Sequence, residues 1–268
     1  MATHSKQASY LFFALTMIAI GVIGFASATF APIWAGVPKA LPDRQLLVYL
    51  SSAISLGCGA CLLIKRTAAQ AALVLLVYLI IWTGLFKVPF IVRQPLVEVS
   101  YQTCGENAVL IAAAWVLFVD FAKTRTFPAG DLGLRMARGL YGLALIAFGF
   151  SHFAYLNLTA PLVPAWLPGH EFWAYLTGGI YLATGTAMLV GLFGGLAALL
   201  AAVQITLITL LVWGPGVLSG HVSADAWQET VVSWALTAGA WVIATSYEAS
   251  RLGRLGPSAF TLRPVGRG

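Results

Sequence analysis

Residues 68–90 read AAQAALVLLVYLIIWTGLFKVPF and contain a single charged side chain, Lys87, near the end of the stretch. A helix needs about 20 mostly apolar residues to cross the hydrocarbon core of a bilayer. The stretch meets that requirement and predicts a transmembrane helix. The same criterion gives seven further spans, which are roughly 9–30, 46–64, 106–122, 139–156, 172–190, 193–213 and 228–247. The sequence therefore predicts an all-α membrane protein with eight transmembrane helices.

The composition agrees with this class. Of the 268 residues, 60% are hydrophobic and only 9% are charged, whereas about a quarter of a soluble domain is charged. So few charges cannot cover a water-facing surface, so the lipid bilayer must solvate much of the chain. Small residues such as Gly178 and Gly179 recur in the spans and favour closely packed helices.

The basic residues lie between the spans, which indicates membrane orientation and not nucleic-acid binding. One predicted side carries eleven of them, and the other side carries four. The eleven are Lys6, Lys65, Arg66, Lys123, Arg125, Arg135, Arg138, Arg251, Arg254, Arg263 and Arg267, and the four are Lys39, Arg44, Lys87 and Arg93. The rule that cytoplasmic loops are rich in lysine and arginine predicts a multi-pass protein of the plasma (inner) membrane with both termini cytoplasmic.

The chain contains an internal repeat. The motif Ile18-Ala19-Ile20-Gly21 matches Ile146-Ala147-Phe148-Gly149, and Pro38-x-x-Leu41-Pro42 matches Pro164-x-x-Leu167-Pro168. Each copy holds an even number of spans, so the two enter the membrane from the same side as parallel four-helix bundle repeats. The predicted organisation is a first unit at 1–122, a cytoplasmic linker at 123–138, a second unit at 139–250 and a basic cytoplasmic tail at 251–268. Ala26-Ser27-Ala28 looks like a signal-peptidase site, but the repeat argues against cleavage there.

The second unit resembles a known family. The stretches Gly149-Phe150-Ser151-His152-Phe153, Val163-Pro164-Ala165-Trp166-Leu167-Pro168 and Phe172-Trp173-Ala174-Tyr175-Leu176-Thr177-Gly178-Gly179 resemble the DoxX-like family of small membrane proteins. The resemblance implies a four-helix bundle for each unit. It also implies an association with membrane redox systems, such as thiosulfate:quinone oxidoreductase subunits and thiol-oxidative stress complexes. The chain departs from the family pattern by carrying two units, of which the first lacks the histidine.

His152 and Glu229 are the candidate catalytic residues. Ionisable groups within a span are costly and are functional hypotheses by default, and a histidine can relay protons near neutral pH or bind a quinone carbonyl. Both residues are predicted near the outer face, where they could meet as a proton-carrying pair. The alternatives are a histidine that only bonds a neighbouring segment, and glutamates, Glu106 included, that are favoured by the helix dipole. Gly24 occupies the position of His152 in the first unit, which argues against a symmetric haem site.

Loops on the predicted outer side contribute further candidates. Trp166, His170 and Trp173 are predicted to line an outer-face pocket for a quinone or a lipid, although an interfacial aromatic belt is the alternative interpretation. Glu171, His221 and Asp225 add polar groups there. No metal site is predicted, because spacing alone does not bring three or four ligands together.

Cys58-Gly59-Ala60-Cys61 is a Cys-x-x-Cys sequence, which can exchange thiols where a thiolate forms. Its place inside a span favours packing of small residues at a helix interface, and Cys104 lies on the other side of the membrane. The chain has no phosphate-binding glycine loop, nucleophile elbow or zinc motif, which excludes the common ATPases, serine hydrolases and zinc proteases.

Two classes of function follow. The first is a membrane component of a redox or quinone-linked system with redox partner subunits and a polar site near the outer face, using His152 and Glu229. The second is a non-enzymatic transporter or a scaffold for small molecules or partner subunits. A transporter should place polar residues near the bilayer midplane, whereas the polar groups here cluster near one face.

Overall fold

The computed structural model describes residues 2–122, 124, 126–220 and 222–247, and every regular element in these ranges is helical. Lys123, Arg125, His221 and the basic tail at 251–268 lie outside the described residues. The α-helices are α1 (Ala2–Ser27), α2 (Arg44–Leu62), α3 (Ala68–Trp82), α4 (Val88–Arg93), α5 (Glu98–Phe121), α6 (Asp131–Ala154), α7 (Leu156–Thr159), α8 (His170–Leu189), α9 (Gly194–Ile208), α10 (Gly214–Ser219) and α11 (Ala224–Ser246). Short 3₁₀ helices occupy Pro32–Trp34 and Ala160–Leu162.

Within the described residues, six helices are long and apolar enough to cross a membrane, which confirms the expected multi-pass class. They are His4–Ser27, Arg44–Leu62, Ala68–Arg93, Glu98–Phe121, Asp131–Ala154 and Gly194–Ser219. Helices α8 and α11, with 20 and 23 residues, are as long but are not among the six. The count of eight spans stays a prediction.

Two of these spans contain a π-helical turn, at Thr83–Lys87 and Thr209–Trp213. A proline follows each turn, Pro89 or Pro215, and has no N–H to donate to the carbonyl four residues earlier. The first residue of each turn is a threonine that donates to the carbonyl four residues back, from Thr83 to Leu79 at 2.7 Å and from Thr209 to Ile205 at 2.9 Å. Proline and threonine together account for the local change of winding.

The long helices form a closed ring in which each packs on its neighbours. The order around the ring is α1, α2, α3, α5, α6, α8, α9 and α11, and α11 returns to α1. Helices α5 and α11 also pack on each other across the middle of the ring. Alanine and glycine permit this close approach, as at Gly239, where an added Cβ would lie 2.9 Å from Val109.

The two ends of the bundle are named here after α5, as the Glu98 end and the Phe121 end. At the Phe121 end, Lys6 forms an ion pair of 2.6 Å with Asp120, which also accepts a hydrogen bond from Tyr10. At the same end, the Arg138 guanidinium donates to the Ser246 carbonyl at 2.6 Å and to its hydroxyl at 3.1 Å. The first helix of each half is thus tied to the last helix of that half.

Three helices begin well before the residue that the sequence predicted, and the first is α1, which begins at Ala2 instead of 9. Helix α5 begins at Glu98 instead of 106, and α6 begins at Asp131 instead of 139. Both extra stretches are too polar to count as hydrocarbon-spanning, so a hydropathy criterion stops before them. Much of the predicted linker at 123–138 is therefore the start of a helix.

Candidate functional site

His152 lies near the end of α6, on the side of that helix that faces α8. Its Nδ1 is 2.9 Å from the Phe148 carbonyl oxygen of its own helix, and its ring centroid is 5.5 Å from that of Tyr181 on α8. The side chain fits there because the facing residue is Gly178, whose added Cβ would lie 2.8 Å from the His152 Cβ. The contacts of His152 are thus within the second half of the chain.

Glu229 lies on an exposed turn of α11, at the Glu98 end. Among the described residues, no hydrogen bond or ion pair joins it to His152. Its electrostatic neighbours include Asp225 on its own helix and Glu106 on α5. The proton-carrying pair therefore stays a prediction.

Glu106 and Lys87 form a charged group between α5 and the span that contains α3. The Lys87 side chain is buried, with 5% of its surface exposed, and it interacts electrostatically with Glu106 and Cys104. One residue along α5, the Asn107 amide donates to the Thr83 hydroxyl at 3.1 Å, which holds the two helices in register. A lysine and a carboxylate in this setting lower the cost of burying each other.

The three loop residues predicted for a pocket lie at the surface of the Glu98 end. Trp166 is exposed, and His170 begins α8. Trp173 is half-buried, and its indole N–H donates to the Pro168 carbonyl at 3.1 Å, which ties the loop to α8. None of the three lines either of the two cavities described next.

A cavity of about 950 Å³ opens between α5 and α6. Such a volume is at the upper end of the range for small-molecule sites. Its walls are almost entirely apolar, and among the described residues Glu98 is the one charged side chain that lines it. The lining residues are Ile91, Pro95, Leu96, Glu98, Tyr101, Cys104, Gly105, Ala108, Leu140, Leu143, Ala144, Ile146, Ala147, Phe150, Phe153 and Ala154.

Glu98 is held at one end of this cavity by α6. Its Oε1 accepts a hydrogen bond of 2.5 Å from the Ser151 hydroxyl, while its Oε2 is buried and has no hydrogen-bond partner among the described residues. The backbone around it is fixed as well, because the Val99 N–H donates to the Tyr155 hydroxyl at 3.3 Å and the Tyr101 hydroxyl donates to the Pro95 carbonyl at 3.0 Å. Glu98 therefore contributes to the cavity lining a carboxylate with one unpaired oxygen.

Glu98 is a site residue that the sequence reasoning missed, because residues 91–105 were interpreted as a loop. A signal for it exists in the chain. Pro95 lies two residues after the end of α4 and marks the end of that helix. An acidic residue three positions later is typical of the first turn of a new helix. Glu98 occupies that first turn of α5.

A second cavity, of about 410 Å³, lies between α1, α9 and α11. Its walls include several hydroxyl groups, and these bond to one another or to the indole of Trp241. Ser9 and Thr245 are 2.8 Å apart, Thr209 and Thr237 are 2.8 Å apart, and Trp241 donates to Thr206 at 3.0 Å. Phe12 and Trp234 also line this cavity and pack against each other. It offers less space than the cavity at Glu98 and no carboxylate.

The cysteines are free thiols. Cys58 is buried and Cys61 half-buried on α2, and Cys104 lines the cavity between α5 and α6. Within the described ranges, no group of three or more histidine, cysteine, aspartate or glutamate side chains could hold a metal ion. Within the described residues, the two cavities and the charged group at Lys87 are candidate sites.

The cavity between α5 and α6, with its single carboxylate, is the observation from which a function can be argued. Comparison of the chain with family models, with curated proteins and with solved structures found no match.

Proposed function

We propose that this chain is a DoxX-like protein of the inner membrane, in which eight helices span the bilayer as two parallel four-helix units with both termini cytoplasmic. We further propose that it binds a lipid-soluble molecule of the quinone class in the cavity between α5 and α6, as the membrane component of a redox system with partner subunits. The single observation that carries the function is this cavity of about 950 Å³, with apolar walls and one carboxylate.

The helix boundaries support the two units. Helices begin at Arg44, Ala68, Val88 and Glu98, and helices begin again 126 residues later, at His170, Gly194, Gly214 and Ala224. The π-helical turns obey the same spacing, since they begin at Thr83 and at Thr209. Under this arrangement α8 and α11 correspond to the spans α2 and α5, which is the reason to count them as spans.

The position of the cavity supports a ligand that comes from the membrane. Most of its lining residues lie on α5 and α6, two of the six helices apolar enough to span a bilayer. An apolar groove between two such helices is open to molecules that dissolve in lipid, and closed to polar metabolites by the cost of their desolvation. The reduced members of the quinone class, the quinols, combine an apolar tail with a hydroxyl-bearing ring, which fits one carboxylate at one end of an apolar cavity.

His152, one of the two predicted proton-carrying residues, lies close to this cavity along the chain. Ser151, which donates to Glu98, directly precedes His152. The two side chains point to different neighbours, Ser151 to α5 and His152 to α8. His152 is therefore proposed to act behind the cavity wall, not as part of its lining.

The experiment is purification of the chain in native lipid followed by mass spectrometry of what co-purifies. A quinone bound at about one molecule per chain supports the proposal. Ala108→Trp, which fills the cavity, should remove that ligand, whereas the matched control Val77→Trp on the exposed face of α3 should retain it. Recovery of phospholipid alone, in equal amounts from both variants, would exclude a quinone site and favour the transporter or scaffold class.

A further inference from the structure

We propose that the cavity binds a molecule with a hydrogen-bond donor in its head group, which pairs with Oε2 of Glu98, and with an apolar tail that runs along α5 and α6 towards the Phe121 end. This inference rests on the proposed function for the existence of a ligand, and it adds the chemistry of the head group and its orientation.

The unsatisfied oxygen of Glu98 is the starting point. The carboxyl group has two acceptor oxygens, and only Oε1 is used, by the Ser151 hydroxyl. A buried polar atom without a partner is costly, and most buried side-chain polar atoms in folded proteins are paired. No lysine or arginine among the described residues forms an ion pair with Glu98. A partner for Oε2 can therefore come from a ligand in the cavity that Glu98 lines.

The charge on Glu98 decides which kind of head group fits. The Ser151 to Glu98 distance of 2.5 Å falls in the range of hydrogen bonds from a hydroxyl to an ionised carboxylate. Glu98 also stands in the first turn of α5, where the helix dipole favours a negative charge. An ionised carboxylate only accepts hydrogen bonds. A head group that donates a hydrogen bond therefore complements an ionised Glu98.

The rest of the cavity determines how the ligand is oriented. Away from Glu98 the walls are formed by small and branched apolar side chains, among them Ala108, Leu143 and Ala147. The nearby Tyr101 hydroxyl already donates to Pro95 and is not available as a second donor. With its single acceptor at the Glu98 end, the cavity places the head there and leaves the remaining volume to the tail.

Two kinds of membrane molecule have such a donor in the head group. One is a reduced quinone (a quinol), which donates through a hydroxyl, and the other is an amine-headed lipid, which donates through an ammonium group. Both donate to a carboxylate, and both have apolar tails. They differ in charge, and the oxidised quinone differs from the quinol in having acceptors only.

The test is a set of binding measurements on the full chain in detergent, with native mass spectrometry as the readout. The probes are a long-chain primary amine, the alcohol of equal length and the trimethylammonium analogue, together with a quinol and its quinone. We expect the probes that can donate to bind more tightly than the trimethylammonium analogue and the quinone, by on the order of tenfold or more. If the primary amine binds more tightly than the alcohol, the ligand is an amine-headed lipid. If the alcohol and the quinol bind equally, the ligand is a quinol.

Glu98→Gln provides the residue-specific part of the test. The amide keeps the size and an acceptor for Ser151, but it places N–H donors where Oε2 stood, so donor head groups should lose on the order of tenfold in affinity. The control is Glu171→Gln, at an exposed position of α8 outside the cavity, which should leave every affinity unchanged.

The outcomes separate the two proposals. Equal binding of the primary amine and its trimethylammonium analogue, with no effect of Glu98→Gln, would overturn the donor head group while leaving the cavity as a lipid-soluble site. Unchanged binding of all probes to Ala108→Trp would instead overturn the cavity itself, and the proposed function with it.

Discussion

The indole ring of Trp234 packs edge to face against the phenyl ring of Phe12, with 5.4 Å between the ring centroids and 84° between their planes. The pair fills part of the interface between α1 and α11. The residue 126 positions before Trp234 is Ala108, and the match of Ile18 with Ile146 pairs Phe12 with Leu140. Ala108 and Leu140 line the large cavity. Under the proposed repeat, the larger side chains at one interface explain why it holds about 410 Å³ of space where the other holds about 950 Å³.

Replacing Trp234 by alanine should enlarge the smaller cavity and destabilise the protein. The loss of the aromatic pair alone is worth about 0.5–1.5 kcal/mol. The free energy of unfolding, measured in mixed micelles of native and denaturing detergent, should fall by at least that amount. Trp166→Ala, at an exposed loop position without such a ring contact, is the control and should leave the stability unchanged. Equal effects of the two substitutions would contradict the packing role of Trp234.

Gly178→Ala should destabilise the α6–α8 contact, and Gly179→Ala should not. A methyl group on Gly178 would lie 2.8 Å from the His152 Cβ and 2.9 Å from the Phe153 ring, whereas one on Gly179 would meet no atom within 4 Å. Overpacking of this kind costs about 1–3 kcal/mol. The unfolding free energies of the two neighbouring variants provide the measurement. A loss of similar size in both would mean that helix backbone effects, not the close approach, determine stability here.

Arg138→Lys should weaken the tie between α6 and α11 at the Phe121 end. The Arg138 guanidinium donates to both the hydroxyl and the carbonyl of Ser246 and stacks 3.7 Å from the Tyr247 ring centroid. A lysine cannot reproduce this planar fork, so we expect a loss of about 1–2 kcal/mol. Arg135→Lys, on an exposed turn of the same helix, should have no effect. A stable Arg138→Lys variant would show that the positive charge alone is sufficient.

His152→Ala and Glu229→Gln should separate ligand binding from proton transfer. Neither residue lines the cavity, so the amount of co-purifying ligand should stay the same in both variants. If the two residues relay protons as one unit, each substitution should lower redox turnover, and the double variant should be no slower than the slower single variant. Additive losses would indicate two independent roles. Unchanged turnover in His152→Ala would remove the histidine from the mechanism.

The apolar parts of the helices were predictable from the sequence, because the hydrocarbon core imposes a length on every span. Helix α2 begins at Arg44 and α8 at His170, close to the predicted 46 and 172. The polar first turns of α5 and α6 were missed for the same reason, since hydropathy registers only the part of a helix that lies in hydrocarbon. Glu98 stands in one of those first turns.

The site was less predictable than the helices. His152 was identified by its chemistry, and the structure places it against α8. The cavity depends on which small residues face each other across α5 and α6, such as Gly105 and Ala147, and the sequence alone does not pair them. The bond between Ser151 and Glu98 joins residues 53 positions apart, a separation for which neither helical nor repeat periodicity gives a signal.

The packing of α5 on α11 across the ring has a consequence for how the two interfaces could diverge. In a symmetric dimer of one four-helix unit, every substitution enters both interfaces at once. Under the proposed repeat, a single chain that carries both interfaces is free of that constraint. The interface between α1 and α11 can be filled by Phe12 and Trp234 and stabilise the fold. The interface between α5 and α6 keeps Ala108 and leaves space for a ligand. Tandem fusion would thus let stability and binding be selected at separate positions.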